Sequence, residues 1–201
     1  MSPLKNCDAL DNHFEALKVS LRKRFLPSKA RVLDLFCGEG ILYQNVYEGV
    51  VEKYFGVDKE KIHDSELCAL SDNVSYLLGM SVVELSDYNV FDLDAYGCPW
   101  KLFYLLLERH SGPELTVFMT DGLKTNLFGS FAGTGELCDM VLALEGILRK
   151  FEVPCMGRWY EEMFLTMLLT AEERYGWSVA TAKHISATKG VSYWYISLKK
   201  T

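Results

Sequence analysis

Apolar residues recur along this chain at two spacings, one typical of helices and one typical of strands. The helical spacing occurs in the first segment of the chain, where apolar residues lie three or four positions apart across residues 8–25. These residues are Leu10, Phe14, Leu17, Leu21 and Phe25. The pattern predicts an amphipathic helix that ends before Pro27 and packs its apolar face on the rest of the molecule.

From residue 30 onward, short apolar runs alternate with stretches of helical spacing. Strands are predicted at residues 30–36, 53–57, 74–78, 88–93, 115–120, 177–184 and 191–199. Helices are predicted at residues 41–51, 60–70, 99–110, 134–151 and 158–175. Repeated strand–helix units predict a parallel sheet with helices on both faces, and the final two strands predict an antiparallel hairpin at its edge.

This order of elements predicts an α/β fold with a seven-stranded, mostly parallel sheet. The topology resembles the Rossmann-like class I methyltransferase fold, whose sheet also ends in an antiparallel hairpin. We therefore expect two parts. An N-terminal amphipathic helix within residues 1–29 packs on the core, and residues 30–201 form a methyltransferase domain.

The composition is that of an ordinary soluble domain. The chain has 201 residues, of which 49% are hydrophobic and 24% are charged, and no apolar run approaches the ~18 residues of a membrane span. Its N-terminus lacks the basic start and apolar stretch of a signal peptide. We therefore expect a cytoplasmic protein that is not associated with a membrane.

The cysteines and the net charge bear on metals and on nucleic acids. The six cysteines form no C-x-x-C pair and have no histidine at zinc-ligand spacing, so no metal site is predicted. The net charge of -6 argues against broad binding to nucleic acid, which usually needs a basic face. A local basic patch at residues 18–31 could still contact phosphates, although a solvated helix face explains it equally well.

A glycine turn between an apolar strand and a helix is the first candidate binding site. Asp34 ends the strand, Gly38 and Gly40 form the turn, and Asp58 ends the next strand eighteen residues after Gly40. A glycine turn followed by an acidic residue about 20 positions later holds a nucleoside at the edge of a parallel sheet. The spacing therefore predicts a nucleoside site.

The charge of this turn selects among nucleosides. Asp34 and Glu39 lie where a pyrophosphate would need positive potential, and Tyr43 stands at the third glycine position of G-x-G-x-x-G. An acidic turn repels a diphosphate and favours a cationic ligand, which predicts S-adenosylmethionine (SAM) as the cofactor.

Asp34 would receive the ammonium of SAM, or instead cap the N–H groups of the turn. Asp58 would accept from the ribose hydroxyls, or instead cap the following helix. Further predicted cofactor contacts are Phe36, Cys37, Gly38, Gly40 and Lys59.

The third predicted strand leads into Gly79, Met80 and Ser81, which form a second candidate cofactor position. In many methyltransferases this place looks like G-D-A-x-x-L, where the aspartate holds the adenine amino group. Met80 stands in place of that aspartate and cannot accept the amino hydrogens. Met80 is therefore predicted to pack on the adenine face, while Ser81 or backbone groups supply the acceptors.

The fourth predicted strand ends at a carboxylate that could present a methyl acceptor. A nitrogen acceptor needs its N–H groups held by oxygen atoms so that its lone pair points at the methyl group. Asp94 and the carbonyl of Ala95 supply such oxygens, and Tyr96 could stack on the acceptor. Asp94 could also contact the cofactor or act as a base. The alternative is that Asp94 caps the helix starting at Pro99 and Tyr96 belongs to the core.

Three more residues are candidates for substrate contact. Gly97 continues the acceptor motif, and Trp100 follows it closely enough to stack on a base, although most such tryptophans are core residues. Asp121 begins a glycine-containing loop over residues 121–135, at the carboxyl end of a strand where ligands bind in such sheets. A plain turn is the alternative for Asp121.

The order of motifs makes the resemblance more specific. The segment Asp92–Gly97 resembles the D-x-D-P-[FY]-G signature of the tRNA (guanine-N2) dimethyltransferase family, with Ala95 in place of the proline. The strand Leu115–Asp121 is similar to that family's strand ending in T-D. The segment 158–176 is similar to its late helix, with Glu161 where the family has histidine.

This resemblance spans roughly residues 30–199 and includes a closing aromatic strand at residues 191–196. It implies a SAM-dependent enzyme that methylates a nucleobase nitrogen, guanine N2 in a tRNA-like RNA. The family also has an N-terminal segment and a C-terminal domain that grip tRNA, and the chain is too short for either, so a partner protein could supply RNA binding. Two alternatives stay open: a small-molecule N- or O-methyltransferase, and a SAM-binding subunit without catalysis.

Overall fold

The computed structural model describes residues 8–60, 62, 64–95, 99–122, 160–186 and 191–201. Its helices are α1 (Asp8–Phe25), α2 (Asn73–Gly79), α3 (Val82–Ser86), α4 (Trp100–Arg109) and α5 (Tyr160–Tyr175), with a π-helical segment at Tyr43–Tyr47. Its strands are β1 (Arg31–Asp34), β2 (Lys53–Asp58), β3 (Cys68–Leu70), β4 (Val90–Leu93), β5 (Glu114–Asp121), β6 (Trp177–Ser186) and β7 (Ser192–Lys200). The predicted helix 134–151 lies outside the described residues.

The strands form one seven-stranded sheet in the order β3-β2-β1-β4-β5-β7-β6. Strands β1 to β5 pair in parallel, whereas β7 pairs antiparallel with both β5 and β6. The predicted α/β fold with a mostly parallel sheet and a C-terminal hairpin is therefore confirmed. The strand order reverses between β1 and β4, and a crevice at the carboxyl ends of such strands is where α/β sheets bind ligands.

The sheet carries apolar residues on both faces. Successive residues of a strand point to opposite faces, so neighbouring residues of β1 join different cores. On one face Leu33 of β1 joins a core formed with helices α2 to α5. On the other face Val32 joins a smaller core that contains Val46 and Tyr47 of the π-helical segment and packs against Phe25 of α1. In the part of the chain that the structure describes, no helix is long and apolar enough to cross a membrane.

Two predicted elements between β2 and β4 are wrong. The end of the predicted helix 60–70 is strand β3, and the predicted strand 74–78 is helix α2. Asp72 explains the helix, because its side chain accepts a hydrogen bond from the Ser75 N–H at 2.9 Å and so caps the first turn. A short apolar run does not by itself distinguish a strand from a helix.

Helix α1 is fixed to the sheet by an ion pair inside the molecule. The Nε and Nη2 atoms of Arg22 donate to the two carboxylate oxygens of Asp92 at 2.6 Å each, and the side chains are 1% and 0% exposed. The Tyr47 hydroxyl donates to the same carboxylate. Burial raises the pKa of the Tyr47 phenol well above its ordinary value, so this group stays neutral and keeps its proton for Asp92.

A second carboxylate is buried beside this pair. Asp34 ends β1 directly opposite Asp92 of β4 and is fully shielded from solvent. It accepts hydrogen bonds from the Phe36 N–H at 3.0 Å and from the Tyr54 hydroxyl at 3.1 Å. Burial, reinforced by the charge of Asp92, raises the pKa of the Asp34 carboxyl well above its ordinary value.

Replacing Arg22 by methionine should lower the free energy of unfolding by about 3–5 kcal/mol, because Asp92 would keep a buried charge without its cation. Urea unfolding measures this change. Lys23→Met is the matched control, since Lys23 is the exposed neighbour on the same helix and its loss should matter by less than about 0.5 kcal/mol. Equal effects of the two substitutions would contradict a stabilising role for the buried pair.

Replacing Asp34 by asparagine should stabilise the protein increasingly as the pH rises. A carboxyl whose pKa is raised on folding contributes stability below its unfolded pKa, about 4, and that contribution is lost as the pH rises toward the folded pKa. Asparagine has no proton to lose, so it stays neutral at every pH, and it keeps an oxygen for the Phe36 N–H. Urea unfolding of both proteins near pH 4 and near neutrality tests this, and a pH-independent difference would refute it.

Candidate active site

A cleft of about 730 Å³ opens at the carboxyl ends of the parallel strands, on the side where the strand order reverses. This volume is in the range of small-molecule sites. The turn after β1 lines one wall, with Asp58 at the end of β2 beside it. Asp94 follows β4 and Thr120 lies near the end of β5 on the opposite wall. Lys18 of α1 and Tyr193 of β7 close a third side.

The turn after β1 has the geometry that its glycines predict. Gly38 and Gly40 have φ angles of +48° and +78°, a region that side chains with a Cβ rarely adopt. The Gly38 N–H donates to Asp58 Oδ2 at 3.2 Å, and Asp58 Oδ1 accepts from the Glu60 N–H at 2.8 Å. The Gly40 N–H closes the turn on the Cys37 carbonyl at 2.9 Å. Asp58 therefore joins the end of β2 to this turn.

The same turn packs closely on strand β2. A Cβ atom on Gly56 would lie 2.7 Å from both the Cys37 Cβ and the Cys68 Sγ, so a larger residue there would displace the turn. Burial raises the pKa of the Cys37 thiol well above its ordinary value, which keeps this side chain neutral. Cys37 therefore contributes packing beneath the cleft, and it lines the cleft alongside Phe36.

The cleft is acidic, and of the two turn carboxylates that the sequence singles out, Glu39 lines it and Asp34 does not. Among the described residues that line it, the carboxylates are Glu15, Glu39, Asp58, Glu60 and Asp94. The same set of lining residues contains one positive side chain, that of Lys18. Carboxylates that face one small cavity repel phosphates and attract cations. Within the described ranges, no group of three or more His, Cys, Asp or Glu side chains is arranged to hold a metal ion.

Five residues predicted to contact the cofactor do not line the cleft: Asp34, Gly40, Lys59, Met80 and Ser81. Asp34 does not line it, because this carboxylate is buried beneath the turn and bonds the Phe36 N–H. This position fits the alternative in which Asp34 caps the N–H groups of the turn, and its contact with a cofactor ammonium stays a prediction. Lys59 is exposed and points to Glu60, with its Nζ 3.8 Å from Oε1.

Asp94 is the most constrained residue of the cleft. Its Oδ2 atom accepts from Lys18 Nζ at 2.8 Å, its Oδ1 atom accepts from the Thr120 hydroxyl, and its side chain is 13% exposed. Burial alone would raise the pKa of Asp94, but the charges of Lys18 and Arg22 outweigh burial and hold it below its ordinary value. The carboxylate is therefore ionised and is a strong hydrogen-bond acceptor.

The rest of the predicted acceptor motif is only partly described. Ala95 is 7% exposed and lines the cleft next to Asp94. Tyr96 and Gly97 lie outside the described residues. Helix α4 begins after Pro99 without a side-chain cap, so the alternative in which Asp94 caps that helix is not what the structure shows.

Met80 and Ser81 do not follow a strand, and this part of the prediction is wrong. Met80 follows α2 and lines a separate cavity of about 550 Å³ that also contains Phe55 and Tyr76. Ser81 caps α3, because its hydroxyl accepts from the Glu84 N–H at 3.2 Å and its own N–H donates to the Glu84 carboxylate at 2.7 Å. Neither residue lines the acidic cleft, and their contact with adenine stays a prediction.

Trp100 and Asp121 are core residues, which contradicts their predicted contact with substrate. Both side chains are fully buried, and the Trp100 Nε1–H donates to Asp121 Oδ2 at 3.0 Å. Trp100 also packs edge to face against Phe103 and Phe164. The loop that follows Asp121 lies beyond residue 122, outside the described residues.

Sequence reasoning missed three residues that complete the site. Lys18 reads as part of a solvated basic face, yet its ammonium reaches Asp94 inside the cleft. Thr120 and Tyr193 lie on neighbouring strands, paired in register, and this proximity depends on the sheet topology. The spacing of Lys18 and Arg22 by one helical turn is the one signal in the sequence, because it places both cations on the same side of α1.

Comparisons with known proteins identify the fold. No family model matches the chain, and no curated protein matches it. The chain is similar to TYW2 of M. jannaschii, solved in complex with AdoMet, at 9% identity with a TM-score of 0.59, covering 98% of this chain and 80% of that chain. It is similar to the plantazolicin methyltransferase BpumL, solved with a monoazolic desmethylPZN analog and SAH, at 11% identity with a TM-score of 0.50, covering 98% and 87%.

A third solved structure, a protein from Lactococcus lactis described as a hemolysin, is similar at 14% identity with a TM-score of 0.53, covering 94% of this chain and 88% of that chain. At these identities the similarity establishes the fold and leaves the activity to the residues of the site. The chain has the Rossmann-like class I methyltransferase fold.

Proposed function

We propose that this protein is a methyltransferase that uses SAM as its cofactor. The observation that carries the proposal is the acidic cleft at the carboxyl ends of β1, β2 and β4, with Asp58 bonded to the glycine turn. A nucleoside with a cationic amino-acid tail matches this combination of a ribose acceptor and surrounding carboxylates. A dinucleotide does not match, because its phosphates would face Glu39 and Glu60.

The residues of the cleft divide into a nucleoside end and a transfer end. Asp58 would accept from the ribose hydroxyls, because a carboxylate oxygen accepts more than one hydrogen bond. Phe36, Cys37 and Gly38 would form the floor under the tail, with Glu39 beside its positive charge. The bound cofactor supplies an electrophilic methyl group on a sulfonium centre.

Asp94 and Ala95 would orient the acceptor at the transfer end. The Thr120 hydroxyl fixes one oxygen of Asp94, so the other oxygen has a defined direction for an acceptor N–H. Because the pKa of Asp94 is lowered, its carboxylate holds a proton weakly and is a poor general base. Its main contribution would be orientation of the acceptor nitrogen, a term worth up to ~7–11 kcal/mol for two bound reactants.

The acceptor is proposed to be a nucleobase nitrogen, with guanine N2 in RNA as the first candidate. The support is the motif Asp92–Gly97 and the order of the later motifs, which resemble the tRNA (guanine-N2) dimethyltransferases. A base in a structured RNA would have to be splayed out to reach Asp94. Lys23 and Arg24 remain exposed on α1 for phosphate contact, whereas Lys18 and Arg22 point inward. A partner protein could supply further RNA contacts.

A small-molecule acceptor is the second candidate, and the charge of the cleft favours it. The carboxylates that attract the cofactor also repel an RNA backbone at close range, and the chain has a net charge of -6. BpumL, which shares the fold, was solved with a monoazolic desmethylPZN analog and SAH. A non-catalytic subunit that binds SAM is the third candidate, and a transfer assay separates it from the other two.

Replacing Asp58 by alanine should weaken SAM binding at least about 100-fold, because the ribose loses its acceptor and the glycine turn loses its hydrogen bond. Isothermal titration calorimetry measures the dissociation constant. Asp64→Ala is the matched control, since the Asp64 side chain accepts from the Glu66 N–H in the same connection but does not line the cleft. Unchanged binding by the Asp58 variant would refute the proposed cofactor site.

Replacing Asp94 by asparagine should reduce methyl transfer by about 100-fold, since misplacement of a bound reactant by about 1 Å has an effect of this size. Transfer is followed with methyl-labelled SAM, first with total RNA and then with a small-metabolite extract. Label in RNA supports the first candidate, and label only in small molecules supports the second. If the wild-type protein binds SAM and labels neither pool, it behaves as the third candidate. Full activity of the variant would remove Asp94 from catalysis.

A further inference from the structure

The ion pair between Lys18 and Asp94 is the least expected feature of the cleft. Lys18 comes from the N-terminal helix, and its Nζ lies 2.8 Å from Asp94 Oδ2 and 5.4 Å from the centre of the Tyr193 ring. Its side chain is 24% exposed, so the ammonium is accessible from the cleft. Arg22, one turn further along the same helix, forms its ion pair with Asp92 instead, and its side chain is 1% exposed.

The charges of the cleft are complementary in sign to those of the proposed cofactor, with carboxylates for its two cations and one ammonium for its carboxylate. SAM carries two positive groups, the sulfonium and the ammonium, and one negative group, the carboxylate. The described lining of the cleft carries five carboxylates and one ammonium, that of Lys18. A carboxylate that enters a cavity with this many negative charges is repelled unless a cation meets it.

We infer that Lys18 binds the carboxylate of the cofactor's amino-acid tail, an inference that rests on the proposed function. The sheet order places the end of β1 and its glycine turn between the end of β2, where Asp58 lies, and the end of β4, after which Asp94 follows. A cofactor whose ribose is bound at Asp58 would therefore direct its tail across the turn toward Asp94 and Lys18. Lysine is suited to this exchange of partners, because its ammonium is a compact charge on a flexible stem of four carbons. The ion pair with Asp94 holds the ammonium at the cleft wall before the cofactor arrives.

This role of Lys18 also sets the order in which the cofactor and the methyl acceptor bind. When Lys18 turns to the cofactor carboxylate, Asp94 Oδ2 gives up its hydrogen bond from the ammonium, while Oδ1 keeps the Thr120 hydroxyl. The carboxylate can then accept an N–H of the methyl acceptor. Cofactor binding therefore precedes productive acceptor binding, and Lys18 is a positioning residue for the acceptor as well as a ligand of the cofactor.

The test compares ligands that differ in the amino-acid tail. S-adenosylhomocysteine has the carboxylate, and methylthioadenosine has the same nucleoside and sulfur without the tail. Lys18→Met should weaken S-adenosylhomocysteine by about 10- to 100-fold, the range for a hydrogen bond to a charged group, and should change methylthioadenosine by less than about twofold. Calorimetry gives both dissociation constants, and Lys23→Met is the control on the same helix.

The outcomes separate the inference from the function on which it rests. If wild-type protein binds S-adenosylhomocysteine and Lys18→Met binds it equally well, the assignment of Lys18 is overturned and the cofactor site stands. If Lys18→Met weakens both ligands equally, the lysine supports the cleft as a whole, and the carboxylate contact is likewise overturned. If wild-type protein binds neither ligand, the proposed cofactor itself fails. Decarboxylated SAM should bind wild-type and Lys18→Met with the same affinity.

Discussion

The guanidinium of Arg22, held between helix α1 and the Asp92 carboxylate of β4, constrains how the rest of the molecule can pack. An ionised group in the interior is unfavourable unless its partner meets it with good geometry, and here both oxygens of the carboxylate accept from the same fork. The Tyr47 hydroxyl completes this set of donors. One docking position of α1 satisfies all of these groups, so the helix cannot shift along the sheet without leaving a charge unpaired.

The same docking position sets the chemistry of the cleft. Lys18 lies one turn before Arg22, and the interior pair therefore fixes the point from which the lysine reaches Asp94. The carboxylates of Glu39 after β1, Asp58 at the end of β2 and Asp94 after β4 alone would give a cavity with a negative lining. Helix α1 adds one positive charge, that of Lys18, at the transfer end. The two ends of the cleft therefore differ in charge, and a ligand with both positive and negative groups can bind in one orientation.

The sequence predicts the positions of β4 and β5 because each contains a short buried run of apolar residues, Val90–Phe91 and Val117–Met119. The prediction fails for β3, because three residues are too few to show a strand pattern. It also fails for α2, where the cap at Asp72 favours a helix although the apolar run resembles a strand. Gly38, Asp58 and Asp94 are predictable because each stands at a strand end. The inward direction of Lys18 and the burial of Trp100 are not, because both depend on contacts with residues distant in the chain.

The buried pair also bears on where the molecule can be divided. A fragment that began at residue 30 would retain every strand of the sheet and still lose the guanidinium that neutralises Asp92. Its central strand would then carry an orphaned anion, and water would enter to solvate it. Expression of the strand-and-helix portion alone would accordingly give aggregation-prone material, whereas a tag placed ahead of α1 leaves the pair intact.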